Sequence, residues 1–203
     1  MSIALFSIIA LIMSAIIHEY MHGWMAHQLG DSTAKDAGRL TLNPIPHIDP
    51  IGSILLPFMF YFTTGFVFGW AKPVPFNPHY LNDPKYGEAK VAIAGPLANL
   101  IVALVFGFTL RFFSQQLFSF NPVLLELCSM VVYINLLLMV FNLIPTPPLD
   151  GSKVLMPFLP YSWQVRLASL ERYGMFLVFF FMMFAFNMIR PIIEFLFKLI
   201  IGI

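Results

Sequence analysis

MSIALFSIIALIMSAIIHEYMH, residues 1–22, decides the fold of this chain. The seventeen residues from Met1 to Ile17 carry no charged side chain and lead directly into a His-Glu-x-x-His motif. Residues four apart lie on one face of a helix, so His18 and His22 can present two imidazoles to one Zn²⁺ while Glu19 polarises a bound water. Ionisable side chains are costly in an apolar helix unless they face the protein interior, so the motif predicts a metal site within the membrane.

The composition is that of a polytopic membrane protein. The 203 residues are 59% hydrophobic and 10% charged, and the mean hydropathy is +0.83, far from the balance of a soluble domain. We expect one integral-membrane domain over residues 1–203, with its core in residues 1–155 and a C-terminal helical segment at 172–203. A net charge of +1 gives no indication of a nucleic-acid partner, and the lone Cys128 excludes a disulfide framework.

Five apolar segments predict an all-α protein with about four to five transmembrane helices. The first is expected to run from Ile3 to Leu29 and to stop at Gly30. The others are Ile51 to Ala71, Val91 to Leu110, Val123 to Ile144 and Tyr173 to Ile189. The last three of these are long enough, or nearly so, to cross about 30 Å of hydrocarbon. After Arg190 the chain is expected either to continue as a kinked helix or to lie at the membrane interface.

The second segment is predicted to be re-entrant, entering and leaving the membrane on one side. Pro57 and the break at Thr63-Thr64-Gly65 interrupt a continuous spanning helix. A re-entrant path also gives an eight-to-three division of basic residues, which fits the positive-inside rule with the large loops in the cytoplasm. Lys35, Arg39, Lys72, Lys85, Lys90, Lys153, Arg166 and Arg172 then share the cytoplasmic side, with Arg111, Arg190 and Lys198 opposite.

A catalytic zinc usually has three protein ligands and one open position, so a third ligand is expected. Asp150 is the strongest candidate, because the prolines of Asn142-Leu-Ile-Pro-Thr-Pro-Pro-Leu-Asp150 break a helix and can deliver a carboxylate at membrane depth. The re-entrant path makes the first and fourth segments parallel, which brings this carboxylate to the side of the histidine pair. The alternatives are His27, which is turned away from the pair, and His47 and His79, which lie in Pro-rich loops.

Three motifs in order resemble the site-2 protease family of intramembrane zinc metalloproteases: HEYMH at 18–22, GPLAN at 95–99 and NLIPTPPLDG at 142–151. The resemblance implies one zinc held by His18, His22 and Asp150, with Glu19 as catalytic acid/base. It also implies a lipid bilayer and, as substrate, a transmembrane segment of another protein. The chain is similar to small prokaryotic members without a PDZ domain, so we expect a cell (inner) membrane location with the active site toward the cytoplasm.

Asn99, Asn142 and the Gly95-Pro96 dipeptide are further residues of interest in the apolar segments. Asn99 and Asn142 lie in or beside apolar helices, where an amide is costly unless hydrogen-bonded. They are candidates for steadying substrate or an oxyanion, and hydrogen bonding between helices is the alternative for each. Gly95-Pro96 is interpreted as a close-packing or kink feature.

A small membrane-associated β-sheet is also predicted. Pro73 and Pro75 place their missing N–H groups on one edge of a strand over Gly69 to Asn77, which leaves the other edge free to pair. Gly38 to Asn43 alternates like a neighbouring strand. An unwound substrate could then add to the sheet as a further strand.

Other functional classes are open at this point. A transporter would favour inverted repeats, and the sequence shows none. An inactive metal-binding scaffold would often have lost the glutamate or a ligand, yet all four residues are present. A hydrolase of soluble substrates, opening to the cytoplasm, is the third alternative.

Overall fold

The computed structural model describes residues 3–56, 58, 59, 62 and 71–202, with only the backbone at residues 4, 54, 175, 177 and 179–187. Its α-helices are α1 (Ile3–Gln28), α2 (Thr33–Asp36), α3 (Gly87–Phe120), α4 (Val123–Asn142), α5 (Asp150–Leu155), α6 (Tyr161–Leu170) and α7 (Gly174–Ile201). Short 3₁₀ turns occur at Ile45–His47, Pro78–Tyr80, Met156–Phe158 and Glu171–Tyr173, and a π-helical turn at Pro50–Leu55.

Three of the described helices are long and apolar enough to cross a membrane. They are residues Leu5–Gln28 of α1, the 34-residue α3 and the 20-residue α4. At about 1.5 Å per residue, about 20 helical residues cross the hydrocarbon core. The helical, polytopic character is consistent with the prediction, but among the described residues three such helices are found, where four to five were predicted.

Helices α1 and α3 are antiparallel. Near the end of α1, the His22 ring contacts the carbonyl of Val91 in the second turn of α3. One turn before the motif, the carbonyl of Ser14 accepts a hydrogen bond from Asn99, which lies further along α3. The chain therefore reverses direction between the two helices, and the N–H of Asn82 donates to Leu29 just outside them.

Helix α4 is parallel to α1. Its Asn135 contacts Ser14, and Asp150, which follows the end of α4, reaches His18 one turn further along α1. Both helices therefore finish at the same end of the bundle, which we call the site end. This is the direction expected from the sequence for the first and fourth apolar segments.

Helices α3, α4 and α7 share an apolar core. Gly107 lies so close to Ile200 that a Cβ at this position would collide with it, as expected where a small residue lets two helices approach. Helix α7 is continuous through Pro191, so the residues after Arg190 extend the helix. The buried members of the core are Ala103, Leu110, Val132, Leu136, Met139, Ile189, Ile193 and Ile200.

The prediction of a membrane-associated β-sheet is wrong. Within the described residues no strand is formed, and residues 38–43 make turns and bends. Residues 71–77, which we call the strap, have no helix or strand of their own. Gly69 and Trp70, which begin the predicted strand, lie outside the described residues.

Side chains take the hydrogen-bonding groups that a neighbouring strand would have used. The N–H of Val74 donates to Glu19 at 2.8 Å, and the N–H of Asn77 donates to Asp31 at 2.6 Å. The buried Arg39 guanidinium donates to two successive strap carbonyls at 2.6 and 3.3 Å. The strap is thus fastened to α1 and to the loop after it through the N–H groups of Val74 and Asn77.

The predicted re-entrant segment can be followed only in part. It begins with the π-helical turn Pro50–Leu55, where the Asp49 side chain accepts from the N–H groups of Ile51 and Gly52. Pro57 and the Thr63-Thr64-Gly65 break lie outside the described residues, as does most of the stretch up to residue 70.

Candidate metal centre

The two histidines of the motif lie one turn apart on the face of α1 that packs against α3. Their ring centroids are 4.6 Å apart and their planes are nearly perpendicular, at 85°. His18 is buried and His22 is half-buried. The unbroken apolar run of α1 forms the helix, and the four-residue spacing sets the two rings side by side.

Asp150 opens helix α5 directly opposite this pair. Its Oδ2 atom lies 3.1 Å from His18 Nε2 and 3.3 Å from His22 Nε2. A Cβ on the following residue, Gly151, would meet the backbone of Leu143, so a glycine is required for this turn to pack against the end of α4. The three residues offer ligand atoms that all lie within 4.8 Å of one another.

The hydrogen-bond partners of the two Nδ1 atoms, which face away from Asp150, indicate where each imidazole carries its hydrogen. His22 Nδ1 lies 2.7 Å from the carbonyl of Val91, and His18 Nδ1 lies 2.6 Å from Oδ1 of Asn99. A carbonyl oxygen can only accept, so Nδ1 carries a hydrogen, and in the neutral ring Nε2 therefore keeps its lone pair. This is the tautomer in which Nε2 can ligate a metal.

The arrangement fits a zinc ion. Two lone pairs and a carboxylate oxygen at such short range repel one another unless hydrogens or a metal cation lie between them. Ligand atoms at about 2.0 to 2.1 Å from a tetrahedral zinc are separated by about 3.3 Å, close to the distances seen here. Two imidazoles and one carboxylate also leave the fourth position open, as in catalytic rather than structural zinc sites.

The charge state of Asp150 suits this role. Burial raises the pKa of its carboxyl, but with no metal bound the hydrogen bonds and positive charge of protonated His18 and His22 rings lower it by more, so the pKa lies below its ordinary range. Metal ligands must be deprotonated, and this carboxyl is ionised at neutral pH.

Gly95 is a residue of the site that sequence reasoning assigned only to packing. A Cβ at this position would lie 2.6 Å from both His18 Nε2 and His22 Cε1, in the space where the ring nitrogens converge. A glycine therefore lets α3 approach the histidines and keeps that space clear. Its place in the GPLAN motif was the available signal.

Glu19 follows His18 in the chain, and its carboxylate contacts the strap. Its Oε2 accepts the hydrogen bond from the N–H of Val74, and it is half-buried. One turn further along α1, a Cβ on Gly23 would lie only 2.8 Å from the Val74 side chain. The strap thus crosses α1 in close contact beside the carboxylate.

The remaining candidates lie in different surroundings. Asn99 is fully buried behind His18, whereas the half-buried Asn142 donates to the carbonyl of Leu138 in its own helix. The buried His47 donates from Nε2 to the carbonyl of Thr41. His27 and His79 are not part of the group around Asp150, which is the one such group found among the described residues.

Comparison with known proteins points to one family. The family described as peptidase family M50 matches residues 6–186. Three similar proteins carry the name "Putative zinc metalloprotease": YwhC of Bacillus subtilis, Rip2 of Mycolicibacterium smegmatis and MJ0611 of Methanocaldococcus jannaschii.

The three similarities extend over most of this chain. YwhC is 39% identical over 183 residues, which make up 88% of this chain and 80% of YwhC. Rip2 is 30% identical over 168 residues, or 82% of this chain but 62% of Rip2, so the chain spans less than two thirds of that relative. MJ0611 is 30% identical over 173 residues, or 85% of this chain and 80% of MJ0611. No solved structure matches the chain.

Proposed function

The chain belongs to peptidase family M50 and is an intramembrane zinc metalloprotease, and from this premise we propose that His18, His22 and Asp150 hold the zinc. The observation that carries the assignment is the approach of two Nε2 atoms to one Asp150 oxygen, at 3.1 and 3.3 Å. The transporter and scaffold alternatives are not favoured by this family membership.

Glu19 is the proton carrier in this proposal. When bound, zinc supplies Lewis acidity, which polarises the scissile carbonyl and makes water more acidic. Glu19 takes a proton from the attacking water as the new C–O bond forms, and returns it to the leaving amine as the C–N bond breaks. Its position about 100° around the helix from His18 places the carboxylate beside the ligands rather than among them.

The proposal also includes the class of substrate and the side of the membrane on which the site lies. The family implies substrates that are membrane proteins, and we infer that the cleaved bond lies in or near a transmembrane segment. The loops at the site end carry Lys35, Lys85 and Lys153, so the positive-inside rule favours a cytoplasmic site in a prokaryotic cell membrane. Asn142, in the last turn of α4, is the side chain we assign to contact with the substrate backbone.

The test combines zinc content with cleavage of a single-span membrane protein by the purified enzyme. His22→Ala and Asp150→Ala should lose most zinc and all measurable cleavage, and full zinc occupancy in both would remove them as ligands.

Glu19→Gln should retain zinc and slow cleavage by about 10²- to 10⁴-fold. Asn142→Ala should keep zinc and raise KM. Glu171→Gln, at an exposed carboxyl after α6, is the matched control and should behave as the wild type.

A further inference from the structure

Three buried polar side chains on three different segments form a continuous line behind His18. The Asn99 amide nitrogen donates to Oδ1 of Asn135 at 2.9 Å and to the carbonyl of Ser14 at 3.3 Å. The Asn135 amide nitrogen in turn donates to Oγ of Ser14 at 2.9 Å and to the carbonyl of Val131 at 2.9 Å. None of the three side chains is more than 4% exposed.

The orientation of each amide in this line is dictated by the next. The Val131 carbonyl can only accept, so the Asn135 atom that faces it must be the nitrogen, which turns the Asn135 oxygen toward Asn99. That oxygen accepts at 2.9 Å, and the Ser14 carbonyl accepts at the longer distance of 3.3 Å, so Asn99 faces both with its nitrogen. The Asn99 oxygen is thereby left facing His18 Nδ1, and this ring nitrogen must carry the hydrogen.

We propose that Asn135 is a positioning residue for the metal centre, acting through Asn99 to hold His18 in the tautomer whose Nε2 can ligate zinc. This rests on the proposed assignment of His18 as a ligand. A rotated Asn99 amide would present N–H groups to Nδ1, which would place the imidazole hydrogen on Nε2 and block ligation. Ser14 is a secondary partner in the same line, because Asn135 keeps the Val131 carbonyl without it.

A purely structural role for Asn135 makes a different prediction. Hydrogen bonds between buried helices stabilise a bundle, so any disruptive change at this position should lower stability, and zinc affinity should fall with it. Under our proposal, zinc affinity depends on whether residue 135 can still accept a hydrogen bond from Asn99. Stability and zinc affinity can therefore be separated by the choice of replacement.

Asn135→Leu and Asn135→Asp make this separation. Leucine offers no acceptor, whereas an aspartic side chain accepts from the Asn99 nitrogen in either protonation state. Zinc affinity is measured by competition with a chelator in detergent-solubilised protein, and unfolding temperature is measured on the same samples. Partners of metal-ligating histidines typically change affinity about 10- to 100-fold, so we expect Asn99→Leu in that range and Asn135→Leu near tenfold.

The expected result is that Asn135→Asp binds zinc within about threefold of the wild type, even if it unfolds as early as Asn135→Leu. Equal zinc affinity in the leucine and aspartate variants, whether weak or as strong as in the wild type, would overturn the proposal. If Asn135→Leu does not fold, Asn135→Ala removes the acceptor without adding bulk and serves in its place.

Two further variants make the outcome specific. Ser129→Ala removes a hydroxyl of α4 that donates only to Leu125 in its own helix, and it should leave zinc affinity unchanged. A loss of zinc there too would indicate a general effect of α4 and would contradict a role for Asn135. Zinc retained in His18→Ala would instead refute the assignment of His18 as a ligand, a failure distinguishable from that of Asn135.

Discussion

At the scale of single residues, the site depends on the absence of a side chain at Gly95 as well as on the histidines and the carboxylate. Gly95 leaves open the space where the two ring nitrogens of His18 and His22 converge. Any side chain larger than the hydrogen of glycine at this position would require a histidine or helix α3 to move.

Gly95→Ala should therefore abolish most zinc binding, because its Cβ would lie 2.6 Å from His18 Nε2. We expect at least about a tenfold loss of zinc affinity by chelator competition, comparable to removal of a histidine partner. Leu97→Ala, on the exposed face of α3 two residues further, is the control and should bind zinc normally. Wild-type zinc affinity in Gly95→Ala would show that the helix can move aside at little cost.

Sequence reasoning reached part of this site. Helical spacing predicted that His18 and His22 lie side by side, and the prolines before Asp150 predicted a carboxylate released at membrane depth. Asn135 was missed, although the argument used for Asn99 applies to it equally, since an amide in an apolar helix needs a partner. Which amide faces which could not be predicted, because that order depends on packing between helices.

At the scale of elements, the strap is held by residues far from it in sequence. The buried Asp31 accepts from the N–H of Asn77 and from the N–H and hydroxyl of Thr33. The carboxylate thus joins the loop after α1 to the end of the strap. Two prolines two residues apart predicted a strand over Gly69 to Asn77, but side chains 55 and 46 residues earlier in the chain accept from the N–H groups of Val74 and Asn77.

Asp31→Asn should destabilise the protein by about 1 to 3 kcal/mol, because an amide NH₂ would face one of the buried donors that the carboxylate now accepts from. The wild type should also lose stability in acid. Burial raises the pKa of Asp31, but the hydrogen bonds from Thr33 and Asn77 lower it by more. Its contribution is present above the unfolded-state pKa of about 3.9 and is lost as the pH falls through the lower folded-state value.

Unfolding temperatures in detergent at pH 7 and near pH 3 measure both effects. The difference between wild type and Asp31→Asn should shrink at the lower pH. Asp36→Asn, an exposed carboxyl in the same region, should change neither value appreciably. A difference that stays constant with pH would mean that ionisation of Asp31 does not contribute to stability.

At the scale of the whole molecule, helix direction determines which loops share a side. Because α1 and α3 are antiparallel and meet beside His22, residues 29–86 begin and end at the site end. The re-entrant path, which was inferred from the division of basic residues, predicted this relation between the two helices. The path within that stretch was less predictable, because prolines and glycines show where a helix breaks without showing where the chain goes next.

Single cysteines can establish the orientation. In a Cys128→Ser background, Lys35→Cys and Lys85→Cys should both be labelled by an impermeant thiol reagent only when the cytoplasmic face is accessible. Asn121→Cys, between α3 and α4 at the opposite end, should be labelled from outside. Labelling of positions 35 and 85 from opposite faces would contradict the shared site end and would separate Asp150 from His18.

The separation of the proposed ligands along the chain has a consequence for biosynthesis. His18 and Asp150 are 132 residues apart, and synthesis at about 5 to 20 residues per second delays the carboxylate by roughly 7 to 26 s after the first histidine. During that interval the newly inserted first helix lacks the ligand that completes the site. The three proposed ligands can therefore come together only after α4 and the turn beyond it have been synthesised.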